Sequence, residues 1–157
     1  TLALDPEASG PDTHYKVMQA IAEAIRLYKE RHPEAPLRVW GYRNVWFKFQ
    51  PTDANIFVPV SVNSMAIMED TFTQCFQSQV DAPFPSPEYN GPFSRFAQAI
   101  QVQQHQDMKR VMGRDFWYSN EHPRIRAARG LVYLKEMELD EFYTRARELQ
   151  KVTESQA

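Results

Sequence analysis

Helix-like and strand-like segments alternate along this chain, and this alternation constrains the fold more than any other feature of the sequence. Apolar residues recur every three or four positions over about residues 12–31, whereas Leu37–Tyr42 and Asn55–Val60 are short runs rich in β-branched and aromatic residues. The contrast returns later, where helical spacing over about 92–112 precedes the strand-like Leu131–Leu134. Strands separated by helices predict an α/β layered fold in which a small sheet is flanked by three to four helices.

Residues typical of helix boundaries stand at the ends of the predicted helices. Pro11 suits a first helical position, and Asp12 lies near the unpaired amides of the first turn. Ser61 or Asn63 is expected to cap a second helix, and Gly113 to end the third. A last helix is expected from residue 139 to about residue 151, and the opening TLALD is interpreted as the tail of a further strand.

The apolar face of each predicted helix is expected to contact the core. On the third helix, Val111 is among the residues expected to point inward. No histidine lies near Cys75 in the sequence, so this cysteine is interpreted as a core residue rather than a nucleophile. It belongs to the inward face of the second helix, which consists of Met65, Met68, Phe72, Cys75 and Phe76.

Composition excludes several classes of protein. Apolar residues make up 43% of the 157 residues and charged residues 24%, which is typical of a globular domain. A net charge of -2 and a sequence pI near 6.1 disfavour partners that demand a basic face, so neither nucleic acid nor a membrane surface is expected. A single cysteine cannot form an internal disulfide and agrees with a reducing compartment. The protein is therefore expected to be cytoplasmic.

The segment GPDTH, residues 10–14, is the most informative for chemistry. It places the carboxylate of Asp12 and the imidazole of His14 two residues apart at a predicted helix start, where ligands collect in open α/β sheets. Neutral imidazole is a common zinc ligand, and a nearby carboxylate orients it or accepts a proton from metal-bound water. The alternative is that Asp12 only caps the helix and His14 is an ordinary surface residue.

Four segments, taken in order, resemble a known family. PDTH begins a helix, RVWGYRNVW follows, and FVPVS leads into a helix that ends in CFQSQ. Over roughly residues 5–135 this arrangement resembles the later part of the PIG-L/LmbE-like deacetylase domain. It is most similar to the version fused behind glucosamine-6-phosphate deaminase/isomerase in some bacteria. The chain is thus expected to be a single domain over 1–157 or the carboxy-terminal part of a PIG-L-like domain.

The resemblance implies a partial Rossmann-like fold and zinc-dependent removal of acetyl groups from N-acetylglucosamine-type substrates. In this family two zinc ligands and the catalytic aspartate lie in an amino-terminal His-Pro-Asp-Asp motif, which this sequence does not contain. His14 occupies the place of the third ligand, with Asp12 beside it. Where the family usually has a second histidine, three residues earlier, this chain has Pro11. The upstream part of a parent polypeptide is therefore an expected partner, and a homo-oligomer is left open.

Two groups of residues are candidates for substrate binding. The family tends to place an arginine near the mouth of the active site after the strand that Leu37–Tyr42 matches, which makes Arg43 a candidate. Trp46 and its aromatic neighbours either stack on a sugar ring or pack in the core. Farther along the chain, Arg124 and Arg126 belong, with His122 and Arg129, to a basic patch that either holds a sugar phosphate or pairs with nearby acidic residues.

These observations leave three hypotheses open. The first is a carboxy-terminal PIG-L-like region of an amino-sugar deaminase/isomerase-type protein that takes an amino-sugar or sugar-phosphate ligand. The second is a non-catalytic scaffold that binds sugar phosphate or mediates assembly. The third is an unrelated small α/β binding domain.

Overall fold

The structure, a computed structural model, describes residues 1–4, 12–43, 48–80 and 91–156, with only the backbone described at 12–13 and 152–156. Four long helices and three short ones accompany four strands in this part of the chain. The elements are β1 (Leu2–Ala3), α1 (Asp12–Arg31), β2 (Val39–Tyr42), β3 (Ile56–Ser61), α2 (Val62–Cys75), α3 (Gln77–Val80), α4 (Phe93–Met112), α5 (Arg114–Tyr118), α6 (Pro123–Arg126), β4 (Ala128–Met137) and α7 (Leu139–Gln156).

The strands form one mixed sheet in the order β1-β2-β4-β3. β1 is parallel to β2, and the backbone N–H of Leu4 donates to the carbonyl oxygen of Tyr42 at 2.6 Å just beyond the paired residues. β2 is antiparallel to β4. A Cβ at Gly41 would lie 2.6 Å from Cγ of Leu4, so any larger residue at this position would have to displace the buried Leu4 side chain. The α/β class and the small sheet flanked by helices are confirmed.

Most helix boundaries agree with the sequence pattern. α1 covers the predicted 12–31, and α4 ends at Gly113, whose φ of 80° is in the region that favours glycine. Ser61 caps α2, since its hydroxyl oxygen accepts a hydrogen bond from the N–H of Ser64 at 3.1 Å. Residues 81–92 (DAPFPSPEYNGP) contain four prolines and a glycine and so predict a loop, and the part of this segment up to residue 90 lies outside the described residues.

The chain divides into two compact units. Unit 1 consists of residues 1–56 and 134–157, and unit 2 of residues 57–133. In unit 1, helices α1 and α7 contact one another, and the side-chain amide of Gln19 donates to the carbonyl oxygen of Ala146 at 3.0 Å. In unit 2, α2 contacts α4, and the side-chain amide of Gln98 donates to the carbonyl oxygen of Met65 at 2.9 Å. Each of these amides joins two helices of its own unit.

Two sequence predictions about the core are wrong. Cys75 is exposed, and α2 contains no fully buried residue, because helical periodicity identifies an apolar stripe but not the element that covers it. Val111 is 74% exposed rather than inward, since it lies in the last turn of α4. The buried residues of α4 are instead polar, namely Ser94, Gln104 and His105.

No helix among the described residues has both the length and the apolar character needed to cross a membrane.

Candidate functional site

His14 lies in the first turn of α1, as the sequence predicts, and its side chain is half-buried. Asp12 is the first residue of the same helix, but its side chain lies outside the described residues. Among the side chains that the structure describes, no three His, Cys, Asp or Glu residues are grouped as a metal site. A zinc site ordinarily requires about three protein ligands, so the described residues alone do not fit a complete one.

Arg43 directly follows β2 and is half-buried. Its guanidinium carbon lies 4.6 Å from the centre of the ring of Phe49, a buried residue of the same unit. A cation over an aromatic face is attracted by the ring quadrupole, so this contact fixes the direction of the guanidinium. The second residue predicted for this region, Trp46, lies outside the described residues.

The exposed face of β2 carries two aromatic side chains. Residues alternate between the two faces of a strand, and Trp40 and Tyr42 are both about two-fifths exposed, whereas Val39 is buried. The indole N–H of Trp40 donates to a carboxylate oxygen of Glu136 at 3.1 Å, and Trp40 and Glu136 are opposite one another in the β2–β4 register. These two rings of β2 are therefore accessible for stacking against a ligand.

The basic patch predicted near residue 124 does not act as a single group. Arg124 is exposed on α6, whereas Arg126 donates to the backbone carbonyl oxygens of Asn120 and Glu121 and so closes the preceding turn. Arg129 points elsewhere: its guanidinium carbon lies 5.8 Å from the centre of the ring of Tyr118. Backbone contacts and an aromatic ring, rather than one another, determine where these arginines lie.

Three cations surround Tyr118, and these four residues are termed the Tyr118 cluster. The ammonium nitrogen of Lys109 lies 4.8 Å from the ring centre, and the guanidinium carbon of Arg114 lies 5.5 Å from it. Arg129 is the third cation. Lys109 also donates to the phenol oxygen at 2.8 Å. This hydrogen bond is the largest cause of the lowered pKa of Tyr118; burial opposes it, and the charges of Lys109, Arg129 and Arg114 lower the pKa further.

A buried histidine lies beside this cluster. His105 is one turn before Lys109 on α4, is only 2% exposed, and meets the ring of Trp117 edge-on at 4.6 Å between ring centres. Neither ring nitrogen of His105 has a hydrogen-bond partner among the described residues, and neither does the indole N–H of Trp117. Burial first, and then the charges of Lys109 and Arg129, lower the pKa of His105.

Sequence reasoning missed most of the Tyr118 cluster and identified only Arg129. The available signal was a glycine between two basic residues. Gly113 terminates α4 shortly after Lys109, and Arg114 is the first residue of the short helix α5, whose last residue is Tyr118. Spacing within a helix does not predict this arrangement, because it depends on the turn between α4 and α5 and on the start of β4.

Comparison with known proteins adds no relative, since no family model, no curated protein and no solved structure matches the chain.

Proposed function

We propose that this chain is the PIG-L-like carboxy-terminal region of a glucosamine-6-phosphate deaminase/isomerase-type protein of amino-sugar metabolism, acting in the cytoplasm. One observation supports the proposal above others: the described parts of three of the four segments that carry the resemblance lie at the expected helix start, strand and strand-to-helix junction, whereas α2 ends at Cys75 within the fourth segment, CFQSQ. Residues 12–14 (DTH) begin α1, residues 39–42 (VWGY) form β2, and FVPVS forms the end of β3 and runs without a loop into α2.

In this proposal the region descends from zinc-dependent N-acetylglucosamine deacetylases. His14 is one zinc ligand, and the remaining ligands belong to the His-Pro-Asp-Asp motif that the family carries upstream. Zinc, when bound, supplies a Lewis acid that activates water for hydrolysis of an acetamide. Asp12, the catalytic candidate, orients His14 or accepts a proton.

The exposed face of β2 is proposed to meet the sugar. Trp40 and Tyr42 present accessible rings, and Arg43 comes directly after the strand with its guanidinium over the ring of Phe49. The C–H face of a sugar ring is apolar enough to stack on an aromatic ring, while a guanidinium donates hydrogen bonds to hydroxyl or phosphate oxygens.

A second candidate function is a non-catalytic sugar-phosphate-binding or assembly scaffold. The specific observation in its favour is Pro11, which stands where the family usually has a histidine. Proline has no side-chain hydrogen-bond donor, so a transition-state oxyanion would lose the interaction that this histidine is thought to provide.

The test uses the chain joined to its natural upstream sequence. We expect about one zinc per chain and release of acetate from N-acetylglucosamine 6-phosphate, and the loss of both in His14→Ala. His32→Ala is the matched control, because His32 directly follows the same helix and its ring contacts Tyr28 at 4.6 Å. Zinc binding that His14→Ala leaves unchanged, or no zinc and no acetate in any form, would contradict the catalytic proposal and favour the scaffold.

A further inference from the structure

No carboxylate among the described residues forms an ion pair with the three cations of the Tyr118 cluster. In residues 57–80 and 91–133, the part of unit 2 that the structure describes, the ion pairs are Arg95 with Glu69 and Arg110 with Asp107. Lys109, Arg114 and Arg129 take part in neither. Like charges gathered around one ring repel each other, so a group of three without a counter-charge is an arrangement that an anion stabilises.

We propose that the Tyr118 cluster binds a phosphate-type oxyanion, either free phosphate or the phosphate group of a phosphorylated sugar. The inference does not depend on which function of the preceding section is correct, since no zinc ligand and no residue of β2 takes part in it.

Nearby acidic residues do not neutralise the cluster. Asp107 lies closest along α4, but it accepts from Arg110 at 3.1 Å and from the side-chain amide of Gln103 at 2.9 Å. Asp115 directly follows Arg114 in α5 and is exposed, yet it forms no ion pair with the described cations. The positive charge of Lys109, Arg114 and Arg129 therefore remains available to a ligand.

Two of the cations are oriented before any ligand arrives. The ammonium group of Lys109 is held by the phenol oxygen of Tyr118 at 2.8 Å. One guanidinium nitrogen of Arg129 donates to the carbonyl oxygens of Arg126 at 3.1 Å and Ala128 at 2.6 Å. A prearranged cation loses less conformational entropy on binding than a freely rotating one, which increases the affinity that each hydrogen bond contributes.

The shape of the cluster selects the class of ligand. Guanidinium groups match the geometry of phosphate oxygens and donate two parallel hydrogen bonds, while an ammonium group adds a compact charge. All three cations lie within 5.8 Å of the centre of the Tyr118 ring, so the positive charge is concentrated in one small region of unit 2. A dianion offsets more of their charge than a carboxylate does.

The lowered pKa values of Tyr118 and His105 indicate a positive electrostatic potential at the Tyr118 cluster. Lys109, through its hydrogen bond and then its charge, is the main cause of the lowered pKa of Tyr118, and the charges of Arg129 and Arg114 add to it. Lys109 and Arg129 also add to the larger effect of burial in lowering the pKa of His105. An anion bound in the cluster would act in the opposite direction on both groups.

The experiment is an NMR titration of the whole chain with inorganic phosphate at constant ionic strength, with tyrosine and arginine side chains labelled. We expect the Tyr118 ring signals and the Arg114 and Arg129 guanidinium signals to shift together and saturate. The pKa of Tyr118 should rise when phosphate is bound. Shifts that never saturate, or a pKa of Tyr118 that stays constant, would overturn the proposal.

Matched variants distinguish a specific phosphate site from a general effect of the protein's positively charged residues. Arg114→Gln removes one cation of the cluster and is expected to weaken phosphate binding about tenfold, the effect of one charge-assisted hydrogen bond. Arg110→Gln removes the same charge from the adjacent turn, where the guanidinium is already paired with Asp107, and should change affinity by less than about twofold. Equal weakening in both variants would show screening rather than a site.

A second titration with glucosamine 6-phosphate distinguishes the two sources of the oxyanion. Tighter binding of the ester than of inorganic phosphate indicates a sugar-phosphate ligand, and equal binding indicates free phosphate. If neither ligand gives saturating shifts, the proposed phosphate site is refuted. The zinc and acetate tests of the proposed function are unaffected by that result.

Discussion

The two compact units differ in what they bury. In unit 1 the fully buried residues that the structure describes are apolar, and they include Met137 and Phe142. In unit 2 the buried set includes Ser94, Gln104 and His105, and the last of these has no hydrogen-bond partner among the described residues. An apolar interior stabilises a unit through burial alone, whereas an unpartnered polar group in the interior lowers its stability.

The units also differ in how their cations are neutralised. In unit 1, Arg26, Arg38 and Arg145 each contact a glutamate of the same unit, and these pairs are mostly exposed. In unit 2, the cations of the Tyr118 cluster surround a phenol ring instead. Paired surface cations contribute little to stability or binding, whereas Lys109, Arg114 and Arg129 form no ion pair among the described residues, so their charge is the less neutralised.

The largest effect is expected from Phe142→Ala in unit 1. Phe142 is 0% exposed, and removal of a buried ring from a close-packed interior costs about 3–5 kcal/mol in the free energy of unfolding. Urea unfolding followed by circular dichroism measures the change. Val17→Ala, at a position of α1 that is about half exposed, is the control and should leave the midpoint nearly unchanged. A loss below about 1 kcal/mol in Phe142→Ala would break the description of unit 1 as an apolar core.

His105→Phe in unit 2 is expected to raise the free energy of unfolding rather than lower it. The new ring keeps an edge contact with Trp117 and removes two buried nitrogens without partners, so stability should rise by about 1 kcal/mol. His105→Asn is the control, because it keeps a polar group and loses the ring, and it should destabilise. A clear loss of stability in His105→Phe would show that this histidine makes a stabilising hydrogen bond.

The pH dependence of stability in the wild type and in His105→Phe tests the lowered pKa of His105. Because its folded pKa is lowered, the unfolded state binds more protons. The contribution of the neutral histidine to stability is therefore fully present above about pH 6.5 and is lost as the pH falls toward the folded pKa. Wild type should lose more stability between pH 8 and pH 5 than His105→Phe does. Identical pH profiles for the two proteins would contradict the lowered pKa.

The smallest effect is expected from Arg26→Gln in unit 1. Arg26 pairs with Glu23 and Glu30 on an exposed face of α1, and exposed helical pairs of this kind contribute little. We expect no measurable change in the urea midpoint and none in phosphate affinity. Glu23→Gln should behave in the same way. A loss of phosphate binding in Arg26→Gln would remove the contrast between the two units.

Local signals in the sequence predicted most of the helices. Pro11 and Asp12 marked the start of α1, and Gly113 marked the end of α4, because proline, acidic residues and glycine act on the nearest turn of backbone. Strand β4 was predicted over only four residues, whereas the structure has ten. Lys135 and Glu136 have low strand propensity, but they pair across β2 with Gly41 and Trp40.

Less of the candidate site was predictable. The position of His14 in a first helical turn and the place of Arg43 after a strand followed from the sequence. The contact of Arg43 with Phe49 did not, and neither did the gathering of Arg129 with Lys109 and Arg114, because these contacts depend on turns between elements.

The sequence by itself determined where the long helices begin, the α/β class, and the residue types available for chemistry. Only the tertiary structure decided which apolar stripes are covered, so that Cys75 is exposed while His105 is buried. It also decided which cations meet a carboxylate and which meet Tyr118. The reason is physical: capping and periodicity act within one or two turns of the chain, whereas burial and charge neutralisation depend on neighbours that are distant in sequence.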